Sequence, residues 1–262
     1  MHVLVTGATG GIGRGICEVL ALREPGLTLS VASSQPGEKL DALLAALRGL
    51  GIQAHGVTGD VTRPEEARQI VQQAMALGGD LDALVCVAGA SGPGRLADLP
   101  LEQWDLTFHL NTRSVFVMAQ AAYASLKRTR GSITAIASMS GLHPHPGYGA
   151  YSPAKAALIM LCRQLAQEWG PDGIRTNTVC PGMVRTPLTE AVYQDAETKA
   201  RREALVPMGR IGRPDDIGHA VHYLIGQGGS YVNGQNLVVD GGVADHMLSM
   251  IPGRPGKAPV KG

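Results

Sequence analysis

Between residue 2 and about residue 240 the chain alternates short β-branched runs with longer Ala/Leu-rich amphipathic stretches, and no other feature constrains its fold as much. A strand that returns to its sheet through a helix lies parallel to the preceding strand, and parallel strands need cover on both faces. The expectation is an α/β chain with a doubly wound parallel sheet of about seven strands in a single domain. The strand-like runs lie near His2–Thr6, Leu27–Ala32, Gln53–Thr58, Ala83–Ala88, Ser132–Ala137, Arg175–Cys180 and Asn236–Val239. Helical patterns lie near Ile12–Leu22, Glu38–Leu50, Pro64–Leu77, Leu101–Leu126, Tyr151–Glu168 and Asp215–Ile225, and the fourth reads equally as two helices meeting near Asn111.

The rhythm breaks between Pro181 and Arg213, where Pro187, Pro207, Gly209 and Gly212 surround a mixed helical patch. Both a lid over a pocket and a plain surface excursion have this appearance. The domain is expected over residues 1–246, with a C-terminal tail over 247–262. Pro252–Gly262 has no apolar periodicity and reads as disordered, whereas Met247–Ile251 is apolar enough to pack on another subunit. A length of 262 residues suits one large α/β domain.

Charge excludes one class of partner. With 23 basic and 22 acidic side chains the formal charge is +1, and no segment gathers one sign densely enough to follow a nucleic-acid backbone. No run approaches the roughly 18 apolar residues of a membrane span, and strand-like sequence begins too early for a secretion signal, so a cytoplasmic location is expected. Cys17, Cys86, Cys162 and Cys180 stand singly in apolar segments and read as reduced packing residues.

The first strand runs into Thr6-Gly7-Ala8-Thr9-Gly10-Gly11-Ile12-Gly13, a glycine turn that opens a helix. Glycines allow tight geometry and close approach, and unpaired amides at a helix start favour an anion, so this is a Rossmann-type pyrophosphate seat. Asp60, followed by Val61, could accept from an adenine amine with Val61 bracketing the ring, or could cap the helix that begins at Pro64. Ala88 and Gly89 keep side chains small where a ribose or nicotinamide would cross the sheet. At the end of the second strand an acid would grip a ribose 2′-hydroxyl. Here Ser33 and Ser34 stand instead, with Lys39 beyond, so NADP(H) is favoured over NAD(H).

Tyr151 and Lys155 are one helical turn apart and project from one face. A phenol with a reference pKa of about 10 needs nearby positive charge to reach working range, and the Lys155 ammonium, with an oxidised nicotinamide adding to it, would supply that charge. Tyr151 would then exchange a proton with a substrate oxygen. The fifth strand runs directly into Ser138, which lies beyond the carboxyl end of the sheet and could hydrogen-bond that oxygen, with Ser140 the alternative.

These residues together resemble the short-chain dehydrogenase/reductase family, in its compact branch, over Met1 to Gly242. The family's Thr-Gly-x-x-x-Gly-x-Gly matches Thr6 to Gly13, its catalytic tetrad falls on Asn111, Ser138, Tyr151 and Lys155, and its Pro-Gly segment matches Pro181-Gly182, with Val184 and Thr186 following. The resemblance implies an NAD(P)(H)-dependent oxidoreductase acting on an alcohol or carbonyl carbon. It implies that Asn111 bends a helix and holds a water linking Lys155 to solvent, and that Pro181 to Thr186 frame the nicotinamide. It also implies a homotetramer or homodimer built through Leu101–Leu126, Tyr151–Glu168 and the final strand. Val87 departs from the family's Asn-Ala-Gly and reads as a packing substitution. An epimerase or dehydratase with retained cofactor, and a non-catalytic dinucleotide sensor, are the rival readings; the first needs about 80 to 100 more residues for a substrate domain.

Other residues invite chemistry that the pattern does not require. His143 and His145, without a nearby carboxylate or thiolate, read as loop residues near a pocket rim, and no metal is expected. Tyr148 reads as a pocket wall. Arg95, Arg185, Arg201 and Arg202 suit either an anionic or carrier-linked substrate or solvated surface charge, while Met183, Leu188 and Val192 could line an apolar pocket.

Overall fold

Seven strands pair in parallel in the order β3-β2-β1-β4-β5-β6-β7 in the computed structural model, which describes residues 1–187 and 189–246. They are β1 (His2–Thr6), β2 (Thr28–Ser33), β3 (Gln53–Thr58), β4 (Ala83–Cys86), β5 (Ser132–Ile136), β6 (Arg175–Pro181) and β7 (Asn236–Val239). The central strands β1, β4 and β5 are buried along their whole length, as strands covered on both faces must be. Strand order reverses between β1 and β4, and that switch point opens a crevice at the carboxyl ends.

Helices cover the two faces in two apolar layers. On one side α1 (Gly11–Arg23), α2 (Glu38–Gly49) and α9 (Pro214–Ile225) bury Ile16, Leu20, Leu43, Leu47, Ile217 and Val221 against Val3, Val5 and Val31. On the other, α3 (Pro64–Gly78), α5 (Ser114–Thr129) and α6 (Tyr151–Trp169) bury Ile70, Met118, Leu126, Leu158 and Cys162 against Leu4, Leu84 and Ile133. α1 and α9 cross closely because Gly15 and Gly218 carry no side chain; a Cβ on Gly15 would lie 2.3 Å from Pro214 Cβ, and one on Gly218 2.8 Å from Val19.

Three elements differ from the expected pattern. β4 stops at Cys86, short of Ala88, because the Val87 and Ala88 amides leave the ladder and donate to Thr6 Oγ1 at 3.1 and 3.3 Å. The stretch from Leu101 divides into α4 (Leu101–Phe108), a π-turn (His109–Arg113) and α5, which runs on past Leu126 to Thr129. Apolar periodicity continues through the wider turn, so the sequence shows only a place where two helices could meet. The irregular segment after β6 contains α7 (Glu190–Gln194) and α8 (Ala196–Leu205), which share a small third core of Tyr193, Val206 and Ile211 with Met183 and Val243. Leu188 and the expected tail over 247–262 lie outside the described residues. Among the described residues no helix is long and apolar enough to cross a membrane.

His2 ties the lower end of the sheet together. Its ring nitrogens meet Gly79 O at 3.1 Å and Ser30 Oγ at 2.9 Å, and its backbone amide donates to Asp82. Burial pushes the imidazole below its ordinary 6.5, helped by His55 and opposed by the Gly79 and Asp80 backbone and the Asp82 carboxylate. Because the folded value lies below the unfolded one, the neutral ring's contribution to stability is complete above about pH 6.5 and is lost as pH falls through the folded value. The urea midpoint, measured from pH 7.5 down to about 5 where imidazoles titrate, is expected to fall more steeply for the native chain than for His2→Gln; parallel curves would refute this.

Candidate active site

The site begins with the turn between β1 and α1. Gly7 sits at φ 60°, the left-handed region in which a side chain is strained, and a Cβ there would lie 2.8 Å from Ala88 N at the end of β4. A Cβ on Gly13 would fall 2.2 Å from Gly7 O, so the helix start can close onto the turn only with glycine at that position. The first intrahelical bond runs from Arg14 N to Gly10 O, and Gly10 caps the helix without a side chain. The amides of Gly11, Ile12 and Gly13 therefore face the crevice as donors for an anion, beside the half-buried Thr9. Thr186 closes the seat from the far side; a Cβ on Gly11 would meet Thr186 Cβ at 2.6 Å.

A cavity of about 380 Å³ runs from this turn past Val87, Ala88 and Gly89 to Ser138, Tyr151, Lys155, Pro181 and Gly182. Ser33, at the end of β2 and outside this lining, is half-buried, and Ser34 and Lys39 are exposed, each without a bonded side-chain partner among the described residues. Asp60 accepts from Thr62 N at 2.8 Å and Thr62 Oγ1 at 2.7 Å, and the Thr62 hydroxyl holds its carboxyl below the usual carboxylate range. It thus braces its own turn, whereas the residue that caps α3 is Arg63. Val61 packs beside it at the edge of the α3 layer. Pro181 ends β6, Gly182 N donates to Val239 O at 3.1 Å, and Val184 forms a bridge with Gly212, which fixes the segment carrying Thr186.

Four polar side chains converge at the inner end. Ser138 follows β5 and accepts from Ser140 N at 3.0 Å, leaving its own proton for another acceptor. The Tyr151 phenol lies beside the Ser138 hydroxyl, and α6 places Lys155 one turn further on, its Nζ 5.8 Å from the Tyr151 ring centre. Asn111 lies in the π-turn, where Nδ2 donates to Ala90 O at 2.9 Å and Thr107 O at 3.0 Å. Its Oδ1 is buried without a partner among the described residues. A Cβ on Gly89 would lie 2.7 Å from that oxygen and 3.2 Å from Lys155 Nζ, so both groups approach one bare backbone position.

Burial sets the electrostatics here. Lys155 is 3% exposed, burial pushes it down to about 8, and its Nζ donates to Ile136 O at 2.7 Å. Tyr151 is pushed up by burial, and the Ser138 hydroxyl only partly opposes this. In the free protein Lys155 alone does not lower the phenol, because burial acts on both groups and the ammonium is turned to a backbone carbonyl; the expectation joins Lys155 with the charge of an oxidised nicotinamide. A cationic ligand in the cavity would push the phenol in the other direction.

Neighbouring residues fall into plainer roles. His145 Nδ1 meets Ser140 Oγ at 3.0 Å and its ring stacks on Tyr148 with centroids 3.7 Å apart, so both rings are fixed in the loop between Ser138 and Tyr151 and neither lines the cavity that holds those two. Among the described residues no group of three or more His, Cys, Asp or Glu could hold a metal. Arg185 pairs with Glu190, Arg201 with Glu197 at 2.7 Å, and Arg202 lies over the Tyr193 ring. Those three cations are thus engaged by their own segment. All four cysteines are buried thiols, and burial raises each of them. Sequence reasoning missed Thr6, which takes over the strand end, and Thr112, whose Oγ1 donates to Ala154 O of α6 at 2.7 Å. A threonine in a strand or helix pattern carries no signal of such a bond.

The bare glycine cradle, the free amides, the small residues at 88 and 89 and the unpartnered Asn111 oxygen all fit a nicotinamide dinucleotide and an ordered water. Known proteins carry the same frame. The profile of the family described as Enoyl-(Acyl carrier protein) reductase matches residues 7–244. Dehydrogenase/reductase SDR family member 4 of Sus scrofa is 33% identical over 247 residues, covering 93% of this chain and 87% of that protein. The 3-oxoacyl-(acyl-carrier-protein) reductase FabG of Thermotoga maritima is 32% identical over 243 residues, covering 92% of this chain and 96% of the relative. The solved Pseudomonas aeruginosa RhlG/NADP active-site complex is similar with a TM-score of 0.86 at 30% identity, covering 93% of this chain and 96% of that one.

Gly89→Ala tests the convergence. A methyl at 2.7 Å from Asn111 Oδ1 must displace it or Lys155, and binding of a reduced nicotinamide dinucleotide, followed by its fluorescence, is expected to weaken about tenfold with little change in melting temperature. Native-like affinity would show that the position tolerates a side chain.

Proposed function

The chain belongs to the short-chain dehydrogenase/reductase family of NAD(P)-dependent oxidoreductases, and from that premise we propose that it moves a hydride between nicotinamide and an alcohol or carbonyl carbon with Tyr151 as acid/base. The observation that carries this reading is the placement of Ser138, Tyr151, Lys155 and Asn111 around Gly89 at the end of the crevice. When bound, the dinucleotide supplies or accepts the hydride. Ser138, whose oxygen is held by Ser140 N, directs its proton to the substrate oxygen. Tyr151, kept protonated by burial, is ready to give its proton to an oxygen that gains charge during reduction. Lys155 holds its charge beside the phenol and in reach of a ribose. Once Tyr151 has given up its proton, the Lys155 ammonium can release one of its own toward the phenolate and take a replacement from a water seated at Asn111 Oδ1.

Gly7, Thr9, Gly10, Gly11, Ile12 and Gly13 bind the pyrophosphate, Asp60 and Val61 the adenine, Ala88 and Gly89 a ribose, and Pro181, Gly182, Val184 and Thr186 the nicotinamide. The cofactor is NADP(H) in preference to NAD(H), because the end of β2 presents Ser33 and Ser34 with no carboxylate to repel a 2′-phosphate. That RhlG was solved with NADP supports this lean. The substrate is a small-molecule alcohol or carbonyl compound. The name of the Thermotoga relative supports a 3-oxoacyl group as one member of that class. The domain spans residues 1–246 and works in the cytoplasm. It associates as a homotetramer or homodimer through α4, α5 and α6, which expose Leu101, Phe116 and Met160, and through edge strand β7, which exposes Val238.

Tyr151→Phe is expected to bind NADPH with unchanged affinity and to lose at least about a hundredfold in turnover of any carbonyl substrate found by panel screening, within the range for a lost proton donor. Intact turnover in that variant would refute the acid/base role. NADH binding more tightly than NADPH would overturn the cofactor preference while leaving the chemistry standing. Light scattering at micromolar concentration should give a dimer or tetramer mass, and a monomer would contradict the association.

A further inference from the structure

Three consecutive residues of the π-turn each hold a different wall of the site. Asn111 is bonded to Ala90 O beside the inner cavity, Thr112 to Ala154 O in the helix that carries Tyr151 and Lys155, and Arg113 to the loop after β3. The Arg113 bond is the unusual one. Its Nη2 donates to Thr62 O at 2.6 Å, and among the described residues the guanidinium makes no ion pair, the loop carboxylates Asp60 and Glu66 being paired with Arg63. Thr62 in turn gives both its amide and its hydroxyl to Asp60 Oδ1, while Asp60 N donates to Glu66 Oε2 at 2.8 Å. The links run without a gap from Asp60, through Thr62 and Arg113, to the turn that presents Asn111.

A half-buried arginine whose bonding ends on a single backbone carbonyl is poorly repaid as a stabilising contact. It is well suited to transmit position, because a planar guanidinium on one carbonyl fixes where that carbonyl lies relative to the turn. A π-turn is a wide, weakly bonded piece of helix and the part of this segment most easily reset. We infer that Arg113 is a positioning residue that couples the adenine end of the cofactor cleft to the catalytic turn, so that occupation of the Asp60 loop orders Asn111 before any nicotinamide arrives. The inference rests on the proposed seating of the adenine at Asp60 and Val61. It assigns part of the dinucleotide's remote binding energy to assembling the site rather than to affinity. By linkage, a turn already held in place would also bind the adenine more tightly.

The test uses ADP and adenosine 2′,5′-bisphosphate, which end before the nicotinamide ribose and cannot reach Asn111 themselves. Amide hydrogen exchange is read over residues 107–114 of the full chain, with and without each nucleotide, in the native protein, Arg113→Met and Arg113→Lys. Saturating nucleotide is expected to slow exchange in that segment of the native protein about fivefold or more, the low end of ordinary site-to-site coupling. In Arg113→Met the nucleotide should still bind with Kd within about threefold, as expected where no direct contact is removed, yet leave the segment's exchange unchanged. Arg113→Lys, which keeps a donor on a long stem, should restore part of the protection. Circular dichroism melts establish that both variants are folded.

The outcomes separate cleanly. Binding to the native protein without protection of residues 107–114 overturns the coupling and leaves the cofactor reading intact, as does full protection in Arg113→Met. Loss of nucleotide binding in a folded Arg113→Met would make Arg113 a builder of the adenine pocket and likewise overturn the coupling. Failure of the native protein to bind either nucleotide would overturn the adenine placement and this inference with it.

Discussion

A lysine buried at the end of a parallel sheet with no carboxylate beside it sets the terms for everything nearby. Water no longer solvates the Lys155 ammonium, and its proton affinity falls accordingly. Among the described residues its one hydrogen-bond partner is the Ile136 carbonyl, available because β5 ends there and leaves that oxygen facing α6. The thiols of Cys86, Cys162 and Cys180 are close enough to act on its charge but are too weakly acidic to neutralise it. A carboxylate in any of those places would form a tight ion pair and remove the lysine from chemistry. Small, soft residues around the ammonium therefore maintain a cation that is poorly satisfied by the protein and open to a ligand.

The same logic explains the bare positions. Gly89 leaves room for Lys155 Nζ and Asn111 Oδ1 together, and Gly7 and Gly13 let the first strand, its turn and its helix close to backbone contact. At the neighbouring strand end Val87 replaces the family's asparagine, and Thr6 receives the two amides that leave the ladder. A hydroxyl from β1 thus secures the end of β4, and the substitution is accommodated by packing against the α1 layer.

Much of this was legible in the chain itself, for identifiable reasons. Buried parallel strands have to be apolar, so their positions appear directly, and the glycine turn and Tyr-Lys spacing follow from short-range geometry. What the sequence hides is set by long-range contacts. β4 is shortened by Thr6, some 80 residues earlier, a partner that only the parallel pairing of β1 with β4 brings near. The π-turn at His109–Arg113 leaves apolar periodicity almost undisturbed, so it reads as helix. α8 lacks a buried face of its own, and its pattern is obscured because Tyr193 and Ile211, outside the helix, supply the core it borders. The burial of the Tyr151 phenol is hidden as well, because helix spacing gives the distance between two groups but not the depth at which they lie.

The segment between β6 and α9 has a consequence of another kind. Its small core of Tyr193, Val206 and Ile211 is separate from the two layers that hold the sheet, and it is pinned at the start by the bridge between Val184 and Gly212. Arg185 and Arg201 are paired within it and Arg202 stacks on its own tyrosine, while Arg210 and Arg213 tie its end to Asp216 and Asp215 of α9. Beyond Thr186, which belongs to the cofactor cleft, such a piece can change its lining with little effect on the two layers beneath, because it rests on a core of its own. A scaffold of this design diversifies by rewriting one lining while the layers stay fixed, which gives a physical basis for many selectivities on one chassis.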